Sequence, residues 1–145
     1  MSTDTGLVLG AAGTSTEPAT APEPPIDASA AVARVRRYYE LVDSGDTDGL
    51  VALFAPDAVY HRPGYEPIIG HLGLTRFYTG ERVIREGRHD LSTIVAHDRE
   101  VAVHGEFNGM LHDGREVSLR FCDFFVLGPD ESFTRRDTFF FAPMV

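Results

Sequence analysis

Apolar residues recur at helical spacing where the polar N-terminal stretch of the chain ends, and this pattern predicts a first helix. Its apolar positions are Val32, Val35, Tyr38 or Tyr39, and Val42. Asp27 or Ser29 is placed to cap the start of the helix, and Gly45 is placed to end it. One face of this helix is therefore expected to pack on a core.

Two further helices and a short strand follow the first helix. Asp46 or Thr47 caps a second, short helix, which stops before Pro56 because proline disfavours helical geometry in the residue that precedes it. Residues 58–62 have the pattern of a short strand, and residues 71–84 have the pattern of a third helix. The helical part of the chain is thus expected to end near residue 84.

The rest of the chain is predicted to be β-structure. Four strands, over residues 91–97, 101–110, 116–127 and 133–141, are separated by turn signals rich in Asp, Gly and Pro. Neither helices nor sheet can bury an apolar side alone, so the helices are expected to cover one sheet face. The fold class is therefore α+β, with a curved antiparallel sheet forming a cone on three N-terminal helices.

Composition divides the chain into a tail and one domain. Residues 1–27 are rich in Thr, Pro and acidic residues and are predicted to form a disordered tail, while residues 28–145 form the domain. The net charge of -9, with 22 acidic and 13 basic residues, argues against nucleic acid and anionic membranes as partners. No stretch approaches the length of a membrane span.

Cysteine and histidine usage narrows the chemistry. The single cysteine, Cys122, excludes an internal disulfide and fits a reducing cytoplasm. No Lys or Arg precedes the apolar residues 6–13, which argues against a secretory signal. With no Cys/His cluster at ligand spacing, no metal or cofactor is implied. Four histidines at turns or helix starts are expected to be solvated: His71, His89, His97 and His112.

One carboxylate does not fit its surroundings. In the strand over residues 116–127 alternate side chains share a face, which places Asp123 among Val117, Leu119, Phe121, Phe125 and Leu127. A buried carboxylate either finds a cation or stays protonated, because burial of an unpaired charge costs several kcal/mol. Asp123 is therefore either a neutral hydrogen-bond donor in an apolar cavity or a structural group paired with an arginine.

Several segments together resemble the bacterial ketosteroid isomerases. The matching segments are Arg37-Tyr38, residues 45–55, Asp57-Ala58, Glu66-Pro67, Phe77-Tyr78 and residues 121–125. The resemblance covers residues 32–141 and extends more loosely to SnoaL-like polyketide cyclases and limonene epoxide hydrolases. All belong to the nuclear transport factor two-like superfamily, so the resemblance implies its cone-shaped, cystatin-like roll.

The resemblance also implies site residues. The oxyanion hole of the ketosteroid isomerases falls on Tyr38 and Asp123, with Tyr78 buttressing Tyr38. Two neutral donors aimed at one oxygen would stabilise the charge that develops when a carbonyl enolises. The family's aspartate base, however, is replaced by Arg62, which stays protonated and cannot accept a proton from carbon.

Three interpretations of this departure stay open. His61 could act as the base if the strand register slips by one residue, although by parity it points away from Tyr60 and Arg62. Arg62 could instead hold a substrate carboxylate or phenolate. It could also neutralise Asp123, which would then be ionised and become a candidate base itself.

A second carboxylate offers a different chemistry. Asp137 follows Arg135 and Arg136 in a segment similar to the last strand of the limonene epoxide hydrolases, where the aspartate faces the pocket. Asp123 and Asp137 could then act as acid and base on an epoxide, whereas a surface ion pair is the plain alternative for Asp137. Four aromatic residues are expected to contact substrate besides Tyr78 and Arg62: Tyr60, Phe54, Phe121 and Phe139.

The sequence leads to one main functional hypothesis and two alternatives. The main hypothesis is a cofactor-free isomerase or cyclase that acts on a hydrophobic polycyclic or polyketide-like carbonyl compound by acid-base catalysis. The alternatives are an epoxide-opening hydrolase or ether-forming cyclase, and a non-catalytic binding protein. A homodimer through the open sheet face is also expected, because Cys122, Phe124 and Val126 share that side.

Overall fold

The computed structural model describes residues 25–141. Its helices are α1 (Ala28–Ser44), α2 (Thr47–Ala52) and α3 (Gly70–Arg76), and a single π-helical turn, Phe77–Glu81, continues α3. Its strands are β1 (Phe54–His61), β2 (Ile68–Ile69), β3 (Ile84–His97), β4 (Glu100–Leu111), β5 (Glu116–Leu127) and β6 (Phe133–Phe140). No helix in this range is long and apolar enough to cross a membrane.

The first helix has the ends that its sequence predicts. The Asp27 side chain accepts a hydrogen bond from the Ser29 backbone N–H at 3.1 Å. At the other end Gly45 has φ of +76°, a left-handed conformation that glycine adopts without steric cost. Ile26, just before the cap, packs partly against the core. The other positions of the predicted tail, residues 1–24, lie outside the described residues.

The sheet has six strands in the order β2-β1-β6-β5-β4-β3. All neighbours pair antiparallel except β1 and β6, which run parallel. The predicted α+β fold is confirmed, and the curved sheet is mixed rather than wholly antiparallel. Helix α1 packs against β3 and β4, and α3 packs against β1, so the helices cover one face of the sheet.

The predicted and observed elements differ at several boundaries, and the two-residue strand β2 was not predicted. Helix α2 ends at Ala52, and Phe54 already belongs to β1, where it pairs with Phe133. The third helical segment ends at Glu81, and Ile84 begins β3. Residues 85–90 lack apolar side chains, but their backbone pairs with β4, and this ladder makes them a strand regardless of side-chain pattern.

Alternation along β4 and β5 defines the core face. Val101, Val103 and Phe107 are buried, whereas His104 is exposed, so the apolar residues form the core face of β4. On β5 the odd-numbered residues from Phe121 to Leu127 point inward, and Asp123 among them is fully buried. The fold thus places a carboxylate on the inner face of the sheet.

Candidate active site

A narrow cavity lies between α1, the π-helical turn and the inner face of the sheet. Its volume is about 30 Å³. Its walls are mainly aromatic, with contributions from Tyr38, Tyr60, Phe77, Tyr78, Phe107 and Phe121. The polar residues that line it include Arg62, Arg82, His89, Asp123, Arg136 and Thr138. An apolar slot with a few convergent polar groups is typical of a small-molecule site.

An irregularity at the start of β6 decides which of its side chains enter the cavity. Leu127 pairs with Phe133, but the preceding Val126 pairs with Arg135, so one extra residue, Thr134, is inserted in β6. Such a β-bulge shifts the inward-facing set by one position. Arg136 therefore points inward, and Asp137 points to the outer face.

Arg136 and Asp123 form a buried ion pair at the cavity wall. Arg136 Nη2 donates to Asp123 Oδ2 at 2.8 Å, and the side chains are 5% and 0% exposed. Thr138 Oγ1 donates to Asp123 Oδ1 at 2.5 Å, and the Tyr39 hydroxyl donates to Oδ2. Three converging donors are the environment of an ionised carboxylate. The sequence offered Arg62 as a partner for Asp123, and the structure shows that the partner is Arg136.

The other half of the Arg136 guanidinium holds two tyrosine hydroxyls. Nη1 donates to the Tyr38 oxygen at 2.5 Å and to the Tyr78 oxygen at 3.2 Å, and the two hydroxyls are hydrogen-bonded to each other. The guanidinium carbon lies 4.5 Å from the centroid of Tyr38 and 4.6 Å from that of Tyr60. Arg136 Nε is buried without a hydrogen-bond partner in the described chain. The predicted contact between Tyr38 and Tyr78 is thus present, and the Arg136 guanidinium donates to both hydroxyls.

Burial sets the protonation of this network. It raises the pKa of Tyr38 well above the ordinary value although Arg136 opposes the shift. Burial likewise raises the pKa of Tyr60 to about 12. Burial disfavours the charge on Arg136, but the Asp123 carboxylate and the tyrosines hold the pKa of Arg136 well above its usual range. The network therefore consists of a permanent cation, its carboxylate and neutral phenols.

Two more arginines stand at the cavity. Arg62 lies over the rings of Tyr65, Phe77 and Phe140, with 5.1 to 5.7 Å between its guanidinium carbon and their centroids. Arg82 lies 5.7 Å from the centroid of Tyr78. Of the ionic side chains that line the cavity in the described chain, three are arginines and one is a carboxylate. The ionic side chains of the cavity lining therefore carry a net positive charge, although the whole chain is acidic.

The remaining predicted site residues lie away from the cavity. His61 Nδ1 is 2.8 Å from Asp137 Oδ1, and Arg135 Nη2 is 2.7 Å from Asp137 Oδ2, so Asp137 forms a surface ion-pair cluster. Although partial burial opposes the shift, hydrogen bonds from Arg135 and His61 lower the pKa of Asp137. Phe54 is buried in the core, and Phe139 is 54% exposed on the outer face. Of the predicted residues the structure brings together Tyr38, Tyr60, Arg62, Tyr78, Phe121 and Asp123.

Sequence reasoning missed four polar residues that line the cavity: Arg82, His89, Arg136 and Thr138. Arg136 and Thr138 were missed because the bulge turns the even-numbered residues that follow it toward the cavity, and the alternation of β6 alone does not reveal a bulge. His89 was expected to be solvated, but its side chain is only 11% exposed. The described residues contain no His, Cys, Asp and Glu cluster that could hold a metal ion.

Comparison with known proteins agrees with this architecture. SalBIII, described as an epoxide hydrolase/cyclase-like enzyme in pyran ring formation in polyether salinomycin, superposes with a TM-score of 0.71 and 19% identity over 79% of this chain and 93% of its own. A nuclear transport factor two-like protein of unknown function from Burkholderia pseudomallei K96243 superposes with a TM-score of 0.69 and 20% identity, over 77% and 90% of the two chains.

TerC, crystallised with polyporic acid, superposes with a TM-score of 0.68 and 19% identity, over 77% of this chain and 91% of its own. At such identities the superpositions establish the fold alone. The sequence model of the SnoaL-like domain matches residues 35–136. This range contains Tyr38, Tyr78, Asp123 and Arg136 and covers most of the chain. The fold is that of the nuclear transport factor two-like proteins, and the protein belongs to the SnoaL-like family.

Proposed function

We propose that the protein is a cofactor-free isomerase or cyclase whose substrate is hydrophobic and carries a carbonyl or phenol oxygen that becomes anionic during the reaction. The observation that supports the proposal is the buried Arg136, which holds the hydroxyls of Tyr38 and Tyr78 at the cavity wall. The aromatic walls supply the apolar contact for a ring system.

The Tyr78 hydroxyl is the donor that a ligand oxygen can reach. Both tyrosines line the cavity, but Tyr78 is half-buried, whereas Tyr38 is only 1% exposed. Arg136 polarises both hydroxyls, so charge that develops on the ligand oxygen meets donors that are already oriented. Preorganised donors in a site that excludes water typically contribute about 3–4 kcal/mol to a transition state.

Asp123 acts as a positioning residue for Arg136 in this proposal. The carboxylate fixes one edge of the guanidinium, and the other edge then faces the two tyrosines. In the main hypothesis from the sequence, a neutral Asp123 donates directly to the substrate oxygen. In this proposal, the positive charge of Arg136 stabilises that oxygen instead. The proposed oxyanion site is therefore Tyr78 and Tyr38 on Arg136.

The chemistry that such a site favours is proton transfer next to a carbonyl. Removal of a proton from the adjacent carbon leaves its electron pair to form a carbon–carbon double bond, and the carbonyl electrons move to the oxygen. Return of the proton to another carbon completes an isomerisation, and attack of the enolate carbon on an electrophile closes a ring. SalBIII is described as having a role in pyran ring formation, and TerC was co-crystallised with polyporic acid; both descriptions support a cyclic oxygenated substrate.

The epoxide-opening alternative has less support. It requires an acid and a base in one cavity, but Asp123 is the sole carboxylate of the described chain that lines this cavity, and it is committed to Arg136. Asp137, the second carboxylate of that hypothesis, is on the outer face. We therefore keep the carbonyl chemistry as the proposal.

Titration with 2-naphthol, a fluorescent phenol, tests the oxyanion site. Removing the hydroxyl in Tyr78→Phe is expected to weaken binding by about tenfold or more, because hydrogen bonds within a charged network contribute roughly 1.5–3 kcal/mol. Tyr65→Phe is the matched control, since Tyr65 does not line the cavity. Equal affinity of the two variants would contradict the proposal.

A further inference from the structure

A second polar pair, formed by Asp43 and His89, contributes one member, His89, to the lining of the cavity. Asp43, in the last turn of α1, faces His89 in β3. The His89 ring Nδ1 is 2.5 Å from Asp43 Oδ1, and the His89 backbone N–H donates to Oδ2 at 2.9 Å. One carboxylate therefore holds both the ring and the backbone of the same residue. This double contact fixes the imidazole in one orientation.

Aromatic rings hold the imidazole in place. Its centroid lies 4.8 Å from that of Phe107, 5.1 Å from that of Tyr39 and 5.4 Å from that of Phe121. His89 itself lines the cavity that holds Tyr78 and Arg136. Because a carboxylate only accepts, Nδ1 carries the proton, and Nε2 is the basic nitrogen. The ring makes no other hydrogen bond with the residues that the structure describes.

We propose that His89 Nε2 is the general base of this cavity and that Asp43 is its positioning residue, an inference that rests on the proposed function. Asp43 keeps the neutral imidazole in the Nδ1–H form and stabilises the imidazolium that forms when Nε2 takes a proton. The pair supplies the base that Arg62 cannot supply, because an arginine stays protonated.

In the proposed reaction, His89 takes and returns the proton, and Tyr78 with Arg136 stabilises the negative charge on the oxygen. His89 Nε2 takes the proton from the carbon next to the carbonyl, and the electrons of that C–H bond form the new double bond. The carbonyl electrons move to the oxygen, which Tyr78 and Arg136 hold. The imidazolium then returns the proton to a different carbon, or to the oxygen after ring closure. No oxidant or cofactor is required.

Other described histidines do not have this combination of an acidic partner and access to the cavity. His61 pairs with Asp137 but points to the outer face, and His71 contacts the Phe54 carbonyl oxygen. His104 is near Arg120 on the outer face. His97 pairs with Asp98, but both side chains are more than four-fifths exposed.

The test is the base-promoted ring opening of 5-nitrobenzisoxazole. A base removes the proton from its ring carbon, the N–O bond breaks, and the oxygen leaves as a coloured phenolate. A positioned general base typically accelerates such a step by about 10²–10⁴. The wild type is expected to exceed free imidazole at equal concentration, and His89→Gln is expected to lose roughly 100-fold. Asp43→Asn is expected to lose part of the rate.

His97→Gln is the matched control, because it removes a histidine from an exposed His–Asp pair. It should keep the wild-type rate, and circular dichroism should show that all variants are folded. A wild-type rate no higher than that of imidazole, or full activity in His89→Gln, would overturn the assignment of the base.

Long-range ¹H–¹⁵N NMR gives a second readout, which reports the tautomer that Asp43 is proposed to hold. The neutral His89 ring is expected in the Nδ1–H form in the wild type, and Asp43→Asn should populate the Nε2–H form. A wild-type ring already in the Nε2–H form would overturn the role of Asp43. Failure of the proposed function appears separately, as 2-naphthol binding that is indifferent to Tyr78→Phe.

Discussion

At the scale of single residues, the charge state of Asp123 determines how the site works. A neutral acid would donate directly to a substrate oxygen, whereas the ionised carboxylate orients Arg136 and leaves the donation to tyrosines. Its three donors, Arg136, Thr138 and Tyr39, match the ionised form. The two possibilities have different consequences for stability and can be separated by substitution.

Asp123→Asn is expected to destabilise the fold by about 3–5 kcal/mol, because it leaves the Arg136 charge buried without its counter-ion. Urea unfolding measures the free-energy change. Asp113→Asn is the control, since the pair of Asp113 with Arg115 is exposed and surface ion pairs contribute little to stability. A near-neutral effect of Asp123→Asn would mean that the native side chain is protonated.

The buried tyrosines predict how the protein responds to alkali. Burial raises the pKa of Tyr60 to about 12, and it raises the pKa of Tyr38 and Tyr39 further above the ordinary value. Because these folded-state values exceed that of an unfolded tyrosine, their stabilisation is complete below about pH 10 and is lost as pH rises above it.

Absorbance at alkaline pH, which reports phenolate formation, measures this behaviour directly. Three of the five tyrosines should ionise only together with the loss of tertiary structure, and near-ultraviolet circular dichroism follows that loss. Ionisation of all five before any change in the near-ultraviolet spectrum would contradict the buried network.

At the scale of elements, helix caps and strand alternation could be predicted, whereas register could not. Asp27 and Gly45 mark the ends of α1, and alternation along β5 places Asp123 inside, because these signals are local. The bulge at Thr134 depends on pairing with β5, so nothing in β6 alone shows that Arg136 faces inward.

Polar strand segments were equally hard to predict. After Ile84, the first half of β3 consists of Arg, Glu, Gly, His and Asp residues. It forms a strand because its backbone pairs with β4. His89 lies in this segment, so the sequence hid both its secondary structure and its contact with Asp43. Asp123 could therefore be predicted, because it lies in a strand with apolar alternation. Arg136 and His89 could not, because pairing with distant strands determines where they point.

At the scale of the whole molecule, two features of the surface and interior stand out. An acidic chain encloses a cavity whose ionic lining is mainly arginine, which favours an apolar ligand with a developing negative charge. On the outer sheet face Phe124 and Phe139 pack edge to face at 5.9 Å and remain 45% and 54% exposed. We propose that this apolar face pairs with a second copy of the chain.

Light scattering measures this association, and it should give twice the monomer mass. Phe124→Lys should shift the protein to the monomer, because a charge would be buried in the apolar contact. Leu72→Lys should not, since Leu72 is 74% exposed on α3, on the helical side. A monomeric wild type at high concentration would contradict a dimer through this face.

We propose that the cavity stabilises negative charge on a bound oxygen through Tyr78 and Arg136. The ionisation of bound 2-naphthol, followed by its absorbance against pH, measures this stabilisation. We expect a lower pKa for the naphthol in the cavity than in water, because the positive charge of Arg136 favours the naphtholate. A bound naphthol whose pKa is unchanged or raised would show that the cavity does not stabilise an anion.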